Sequence, residues 1–364
     1  MALTTVRPQG MGFVTGRRNL IINGAMQVAQ RGTQVTGLGG SNDVFAALDR
    51  IKYFVGNTAG RFTAEQVAVT DLPGFANAMK LSCTTADTSI AADEFLGFKH
   101  MIEGQDLQQL KKGTSEAEST TLSFYVKGNA AAEYTVEIRD IDNDRINTQT
   151  FNVTTSWTRV EMTFAPDTTG TYDDDNAMSI QMSWWLHAGS TYSGGTFASN
   201  SWASRVQGNR VKSSNSSFFD STSRTLFVTG IQYEVGSNAS DFEHRSFGEE
   251  LIACQRYYEQ TGAGGFAKAN SSTEFWIGHK FSVTKRADPT ASIIDPNSYV
   301  RVYEFGVADR NSDSTPAISA TIANVNGVIT RVGTFSGISA GDTGTLGGKD
   351  GDSSASTFAF DAEL

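Results

Sequence analysis

The strongest constraint on this chain is an alternation of apolar and polar residues that recurs between positions 121 and 187. Leu122, Phe124 and Val126 alternate with Ser123, Tyr125 and Lys127. Tyr134, Val136 and Ile138 alternate with Thr135 and Glu137, and Val160, Met162 and Phe164 with Arg159, Glu161 and Thr163. Met178, Ile180, Met182, Trp184 and Leu186 alternate with Ser179, Gln181, Ser183, Trp185 and His187. A period of two places successive side chains on opposite faces of a strand. Such segments in series, with polar turns between them, predict antiparallel sheets packed face to face. Ile231, Tyr233 and Val235, set against Gln232 and Glu234, close the series. Residues 19–245 are therefore expected to form a two-sheet jelly roll.

Shorter strands are expected at 49–55, 64–70 and 78–83, and at 19–30 with a turn at Asn23-Gly24. Residues 36–43 read as a loop. Glu103 to Lys112 reads as a helix, with acids early, lysines late and Gly113 after the end. The polar stretch 189–224, with Tyr192, Phe197, Trp202, Phe218 and Phe219 interspersed, is long for a connection in a compact domain.

A different pattern begins at Ser246. Glu249 follows three residues later, the spacing of a capping box. Phe247, Leu251, Cys254 and Tyr258 then recur at three- and four-residue intervals, and Gly262 suits a C-cap. A linking helix is expected over 246–262, with these residues and Tyr257 as packing and subunit-contact candidates. Residues 263–364 are expected to form a smaller C-terminal β domain, with strands near 274–284, 298–307, 317–332 and 356–360. Residues 1–18 show no apolar periodicity and read as an extended arm. The fold class is thus all-β: an antiparallel two-sheet jelly roll, a short helix and a small second β domain.

Composition narrows the functional classes. A net charge of −10 over 364 residues disfavours nucleic acid as a partner. No window reaches the roughly 20 apolar residues of a membrane span, and residues 1–18 lack the apolar core of a signal peptide. Cys83 and Cys254 fall in apolar settings and read as buried small hydrophobes rather than a disulfide.

The sequence lacks a Gly-x-Ser-x-Gly elbow. The run Gly341–Asp350 fails as a phosphate loop, because Asp350 stands where a magnesium-binding Ser or Thr is required. Four scattered histidines, 100, 187, 244 and 279, give no zinc-ligand spacing. Asp140-x-Asp142-x-Asp144 opens like a calcium loop, but Arg145 and Phe151 occupy positions that need Gly and Glu, so a hairpin turn is expected. No cofactor and no metal are expected.

Aromatic residues are the better signal. Trp185 and His187 lie on the polar phase of their strand, near Gln181, and Tyr192 and Trp202 lie in the long loop. Aromatic faces stack on the C–H faces of sugars, which makes these four residues glycan-binding candidates. Packing of Trp185 under the 189–224 loop, or at a subunit interface, is the weightier alternative. Trp276, His279 and Tyr299 could line a surface of the second domain, or its core.

Two stretches also carry a family likeness. The run NLIINGAM at 19–26, and the run from Gln232-Tyr233-Glu234-Val235-Gly236 through Phe242-Glu243-His244-Arg245-Ser246-Phe247 to Cys254-Gln255-Arg256-Tyr257-Tyr258, resemble those of bacteriophage tail-fibre and related virion appendage proteins. The resemblance extends in arrangement over roughly residues 1–262. It implies a carbohydrate-binding-like jelly roll, a homotrimer, attachment to other virion proteins through the arm, and contact with host cell-surface polysaccharide. It implies a virion location after synthesis in the host cytoplasm. Adhesion without turnover is the expected function; a capsid decoration protein without a receptor role, and a small polysaccharide depolymerase, are the alternatives.

Overall fold

The computed structural model describes residues 17–262, 264–294, 300–307, 309–312, 316, 318–349 and 358–364. Most of the expected arm and Tyr299 lie outside them. The chain divides into two compact units, one of residues 1–27 and 32–245, the other of 28–31 and 246–364.

Among the described residues the first unit holds eleven strands: β1 (Gln34–Phe45), β2 (Lys52–Ala68), β3 (Asn77–Thr85), β4 (Phe95–Glu103), β5 (Thr120–Gly128), β6 (Ala132–Asp140), β7 (Arg145–Val153), β8 (Thr158–Phe164), β9 (Met178–Ala188), β10 (Ala203–Ser204) and β11 (Thr225–Val235). They follow one hydrogen-bonded path, β10-β7-β6-β9-β4-β2-β3-β11-β5-β8, with β1 paired to β2. The long β2 makes this path into two sheets. Its first residues, Lys52–Gly56, pair with β4, and residues 61–68 pair with β3. One strand thereby serves both layers, and the layers fold onto each other as a jelly-roll sandwich.

The alternating residues meet between the layers. Phe124 of β5 packs edge-on against Trp184 of β9, with ring centroids 5.8 Å apart, and against Phe151 of β7 at 5.1 Å. Phe98 of β4 stacks on Trp184 at 4.8 Å. Ile180, Met182, Trp184 and Leu186 all lie in this core, as their phase on β9 requires. Full burial of each large apolar side chain contributes about 1.5–3 kcal/mol.

Several local expectations fail for identifiable reasons. Residues 36–43 are not a loop but the middle of β1, which follows β2 through three register shifts. The segments 49–55 and 64–70 are not separate strands: β2 runs through the interval between them. Asn19–Gln30 forms no strand. It is a buried irregular segment whose turn is present, with Met26 donating to the Asn23 carbonyl at 3.0 Å. Glu103–Lys112 is not an α-helix. Glu103 ends β4, and two 3-10 turns follow, Gly104–Asp106 and Gln108–Leu110. Leu107 and Leu110 are drawn into the sandwich core, and Lys111 adopts a positive φ of 50° ahead of Gly113.

The second unit contains the helix, here α2 (Phe247–Gln255), one short turn, α1 (Ser190–Ser193), belonging to the first unit. The capping box is formed: Ser246 Oγ accepts from Glu249 N at 3.3 Å, and Glu249 Oε2 accepts from Ser246 N at 2.9 Å. The helix is only nine residues long, so Tyr258 is not on its face but begins a strand, β12 (Tyr258–Thr261). Glu250 and Cys254 form its buried side, while Phe247 is 57% exposed and Leu251 is half-buried. The expected single apolar stripe is therefore split. Cys254, Tyr257 and Tyr258 are buried within this unit, and the Arg31 guanidinium lies 3.5 Å over the Tyr258 ring. Neither Cys83 nor Cys254 is in a disulfide, and both are buried.

The remaining strands are β13 (Phe266–Ala269), β14 (Phe275–Lys280), β15 (Thr290–Ile293), β16 (Val300–Glu304), β17 (Asp309–Asn311), β18 (Ile318–Asn324), β19 (Gly327–Val332), β20 (Thr343–Lys349) and β21 (Phe358–Asp361). They form a seven-stranded sheet, β17-β16-β20-β13-β14-β19-β18, and a three-stranded sheet, β12-β21-β15. Among the described residues no helix is long and apolar enough to cross a membrane.

Candidate functional site

A cleft of about 530 Å³ opens on the outer face of the first unit's β2-β4-β9-β6 layer. Its walls come from β1, β2, β4, β6, β9 and the stretch after β9. That volume falls within the roughly 300–1,000 Å³ usual for ligand sites.

Two cross-strand pairs shape the aromatic wall. Phe54 of β2 is opposite Gly97 of β4, and Gly56 of β2 is opposite Phe95 of β4. Each ring lies over the partner glycine: a Cβ on Gly97 would stand 2.3 Å from the Phe54 ring, and one on Gly56 would stand 2.4 Å from the Phe95 ring. The missing side chains leave the space the rings fill, a pairing that rescues sheet glycines. Trp185 completes the cluster, edge-on to Phe54 at 5.1 Å, and Tyr192 lies 5.3 Å from Trp185 and 5.4 Å from Phe95.

Trp185 is only 2% exposed. Its indole N–H donates to Glu137 Oε2 at 3.0 Å. Arg210, from the stretch after β9, donates twice to the same carboxylate at 2.8 Å and places its guanidinium 4.7 Å over the indole. Trp185 is thus the floor of the cleft, covered by the 189–224 stretch. Phe95 and Tyr192 are half-buried and supply the accessible ring surface.

The other candidates are placed elsewhere. His187 is wholly buried beside Phe219 and does not line the cleft. One of its ring nitrogens lies 2.8 Å from Ser217 Oγ and the other 3.2 Å from Glu94 Oε2. Burial pushes its basicity down, and the Glu94 and Asp87 carboxylates restore part of it. This Ser–His–Glu chain has the composition of a nucleophilic triad, but Ser217 Oγ also accepts from Phe219 N as the cap of a 3-10 turn. Its visible work is to hold the long stretch against the sheet. Trp202 is half-buried, packs on the sandwich core and donates to the Ala165 carbonyl at 2.8 Å, away from the cleft lining. In the second unit His279 packs beside both Phe358 and Phe360, and burial lowers its pKa to about 4, opposed by the Glu259 charge. Trp276 is half-buried under the Arg331 guanidinium at 4.4 Å.

The Asp140–Asp144 turn joins β6 to β7, and its carboxylates are engaged. Asp140 pairs with Lys112, Asp142 accepts from Asp173 N, and Asp144 pairs with Arg139 and Arg205. Among the described residues no group of three or more His, Cys, Asp or Glu is placed to hold a metal ion.

Sequence reasoning located Trp185, Tyr192 and Gln181, which the fold brings to one cleft. It missed Phe54, Phe95, Asp43, Lys99, Arg139 and Arg210. The two phenylalanines carried a signal, each standing two residues from a glycine in a strand run; the charged residues carried none, since their meeting depends on how β1 and the 189–224 stretch fold over the sheet.

No protein-family model matches the chain, and no curated protein matches it. Solved structures similar to it include the carbohydrate-binding module CBM4, at 13% identity and a TM-score of 0.30 over 58% of this chain and 97% of that one. A family 11 carbohydrate-binding module from Clostridium thermocellum, in complex with a β-1,3-1,4-mixed-linked tetrasaccharide, matches at 14% identity and a TM-score of 0.28 over 57% and 99%. The enzymatically active domain of bacteriophage CBA120 tailspike protein 4 matches at 11% identity and a TM-score of 0.29 over 60% of this chain and 21% of that one. Likenesses this low carry no functional inference to this chain.

Proposed function

We propose that the chain is a glycan-binding structural protein of a bacteriophage virion, a tail fibre or related appendage that adheres to host-surface polysaccharide without cleaving it. The observation that carries the glycan reading is the cleft. Half-buried Phe95 and Tyr192 offer flat ring surface, and Asn42, Asn57, Gln181 and Gln207 supply hydrogen-bonding groups around it. A sugar ring presents the complementary pattern, with apolar C–H faces and a hydroxyl rim.

The virion reading rests on the two stretches that carry the family resemblance. Residues 19–21 and 231–245 are hydrogen-bonded to each other within the first unit. The part of the likeness that lies before Ser246 therefore falls on one closed feature of the first unit. In this reading the protein is a homotrimer held to other virion proteins through residues 1–18, and trimer valency multiplies weak single-site binding.

The test incubates the purified chain with host surface polysaccharide and measures both retention and new reducing ends. Retention without release, weakened by Tyr192→Ala, supports adhesion. Absence of retention overturns the glycan reading, and sustained release of reducing ends overturns the non-enzymatic one.

A further inference from the structure

Cations outnumber carboxylates around the cleft, although the chain as a whole carries a net charge of −10. At one rim Lys52 and Lys99 share a single partner, Asp43, at 3.2 and 2.8 Å. Arg139, which also lines the cleft, shares Asp144 with Arg205, at 2.9 and 2.6 Å. Both shared carboxylates are more than half exposed. In the floor, Arg210 and Glu137 balance one to one. Asn57, on the third edge, donates its amide to the nearby Asp93 carboxylate at 2.9 Å. Among the residues that line the cleft, Lys99, Arg139 and Arg210 stand against the single carboxylate of Asp43, and Glu137 beneath the floor balances only Arg210.

Lys99 shows the same crowding. Its ammonium is largely withdrawn from water, and it lies 5.5 Å over the Phe54 ring, beside the aromatic wall. Burial lowers its pKa, Asp43 restores part of it, and the Lys52 and Arg210 charges lower it again. A second anion reaching Lys99 would relieve that repulsion. It would also lie within reach of a sugar ring stacked on Phe95 or Tyr192, because these residues line one cleft.

We infer that the cleft selects an acidic glycan, whose carboxylate or sulfate is drawn to Lys99 and Arg139 while its ring packs on Phe95 and Tyr192. The inference rests on the glycan reading of this cleft and adds the charge class of the ligand. Neutral sugars would satisfy the rings and amides but leave the shared cations as they are. Polyanions without a sugar ring would satisfy the cations but not the rings.

The experiment is calorimetric titration of the full chain with three oligosaccharides of equal length: an oligogalacturonate (carboxylate), a carrageenan fragment (sulfate) and a neutral malto-oligosaccharide. At low salt at least one acidic probe is expected to bind roughly tenfold tighter than the neutral one, the scale of a partly desolvated charge pair. The gap should close as salt screens it. Which acidic probe binds identifies the acid group. Lys99→Gln should abolish most of that preference. Asp43→Asn should strengthen acidic binding roughly threefold by freeing two lysines, a gain that a purely structural role for Asp43 would not produce. Equal affinity for all three probes, unmoved by both variants, overturns the acidic assignment and leaves the glycan reading standing. Polyphosphate binding as tightly as the acidic sugars, with Tyr192→Ala without effect, overturns both.

Discussion

The backbone N–H of Tyr233 donates to the side-chain oxygen of Asn19 at 3.1 Å, across 214 positions of sequence. The same Asn19 oxygen accepts from Ile21 N at 3.0 Å, and its amide donates to the Ile231 carbonyl at 3.1 Å. One buried side chain thereby satisfies three backbone groups that belong to no regular ladder. Arg245 adds a second clasp, donating to the Asn19 and Ile21 carbonyls. Asn19→Leu leaves these groups buried without partners and is expected to cost about 3 kcal/mol, since each unsatisfied buried group costs about 1–3 kcal/mol. Denaturant unfolding of the first unit, followed by tryptophan fluorescence, measures it; a loss under 1 kcal/mol would mean that water or neighbours replace the clasp.

Gly97→Ala should be costly, since Gly97 is buried in a central strand. The added Cβ would stand 2.3 Å from both the Phe54 ring and the Trp184 carbonyl. The ring can turn away but the carbonyl cannot, so a loss of about 1–3 kcal/mol is expected from overpacking. A reshaped cleft should accompany it, seen as weakened glycan binding in the folded fraction. Unchanged melting and binding would contradict the pairing.

Trp185 and Tyr192 should separate stability from binding. Trp185→Ala removes a buried ring and is expected to cost about 3–5 kcal/mol. Tyr192→Ala, at a half-buried position, should lower stability far less and glycan affinity roughly tenfold, the scale of an aromatic contact. Trp202→Ala should leave affinity unchanged. Melting curves and titrations of the three variants check the ordering.

Glu137→Ala strips Arg210 of its bidentate partner and Trp185 of its acceptor. Removing one member of a buried pair is expected to cost about 3–5 kcal/mol. The 189–224 stretch should loosen first, because Arg210 pins it to β6. Faster amide exchange or proteolysis within 189–224, with the sheet still protected, is the expected result.

Acid should destabilise the fold by a named route. His279, with a pKa near 4, must stay neutral in the folded state, whereas the unfolded chain protonates it near 6.5. Its folded value is depressed, so its contribution is complete above about pH 6.5. That contribution is lost as pH falls toward 4, by an amount on the order of 3 kcal/mol. Burial, with the Arg50 and Arg17 charges, also holds His100 well below its ordinary value, and its effect has the same sign. Unfolding free energy of the second unit at pH 7, 5.5 and 4.5 should fall steadily, and His279→Gln should flatten the dependence. An equal slope in the variant would assign the acid sensitivity elsewhere.

The alternating phases of β5, β6, β8, β9 and β11 were legible because one buried face of a strand demands every second residue to be apolar. The capping box at Ser246 was legible because it is local. Where tertiary contacts outrank local preference, reading along the chain failed. The glycine-rich run 36–43 became strand because β2 offered a ladder to pair with. Leu107 and Leu110 turned a helical charge pattern into two 3-10 turns by entering the core. The helix stripe broke at Tyr258, which pairs with β21 instead.

By itself, then, the sequence determined an all-β sandwich, the phase of its main strands, the capped helix and a cluster of aromatic candidates, all of which depend on spacing along the chain. The tertiary structure alone decided which of those aromatics line the cleft. Trp185 and His187 share a strand face, yet one became a cleft floor and the other a buried tether, because the stretch from 189 to 224 folds over both. It also decided the charge of the cleft. Lys99 and Arg139 come from separate strands, and only their convergence on one sheet face gives the cleft its excess of cations in an acidic chain.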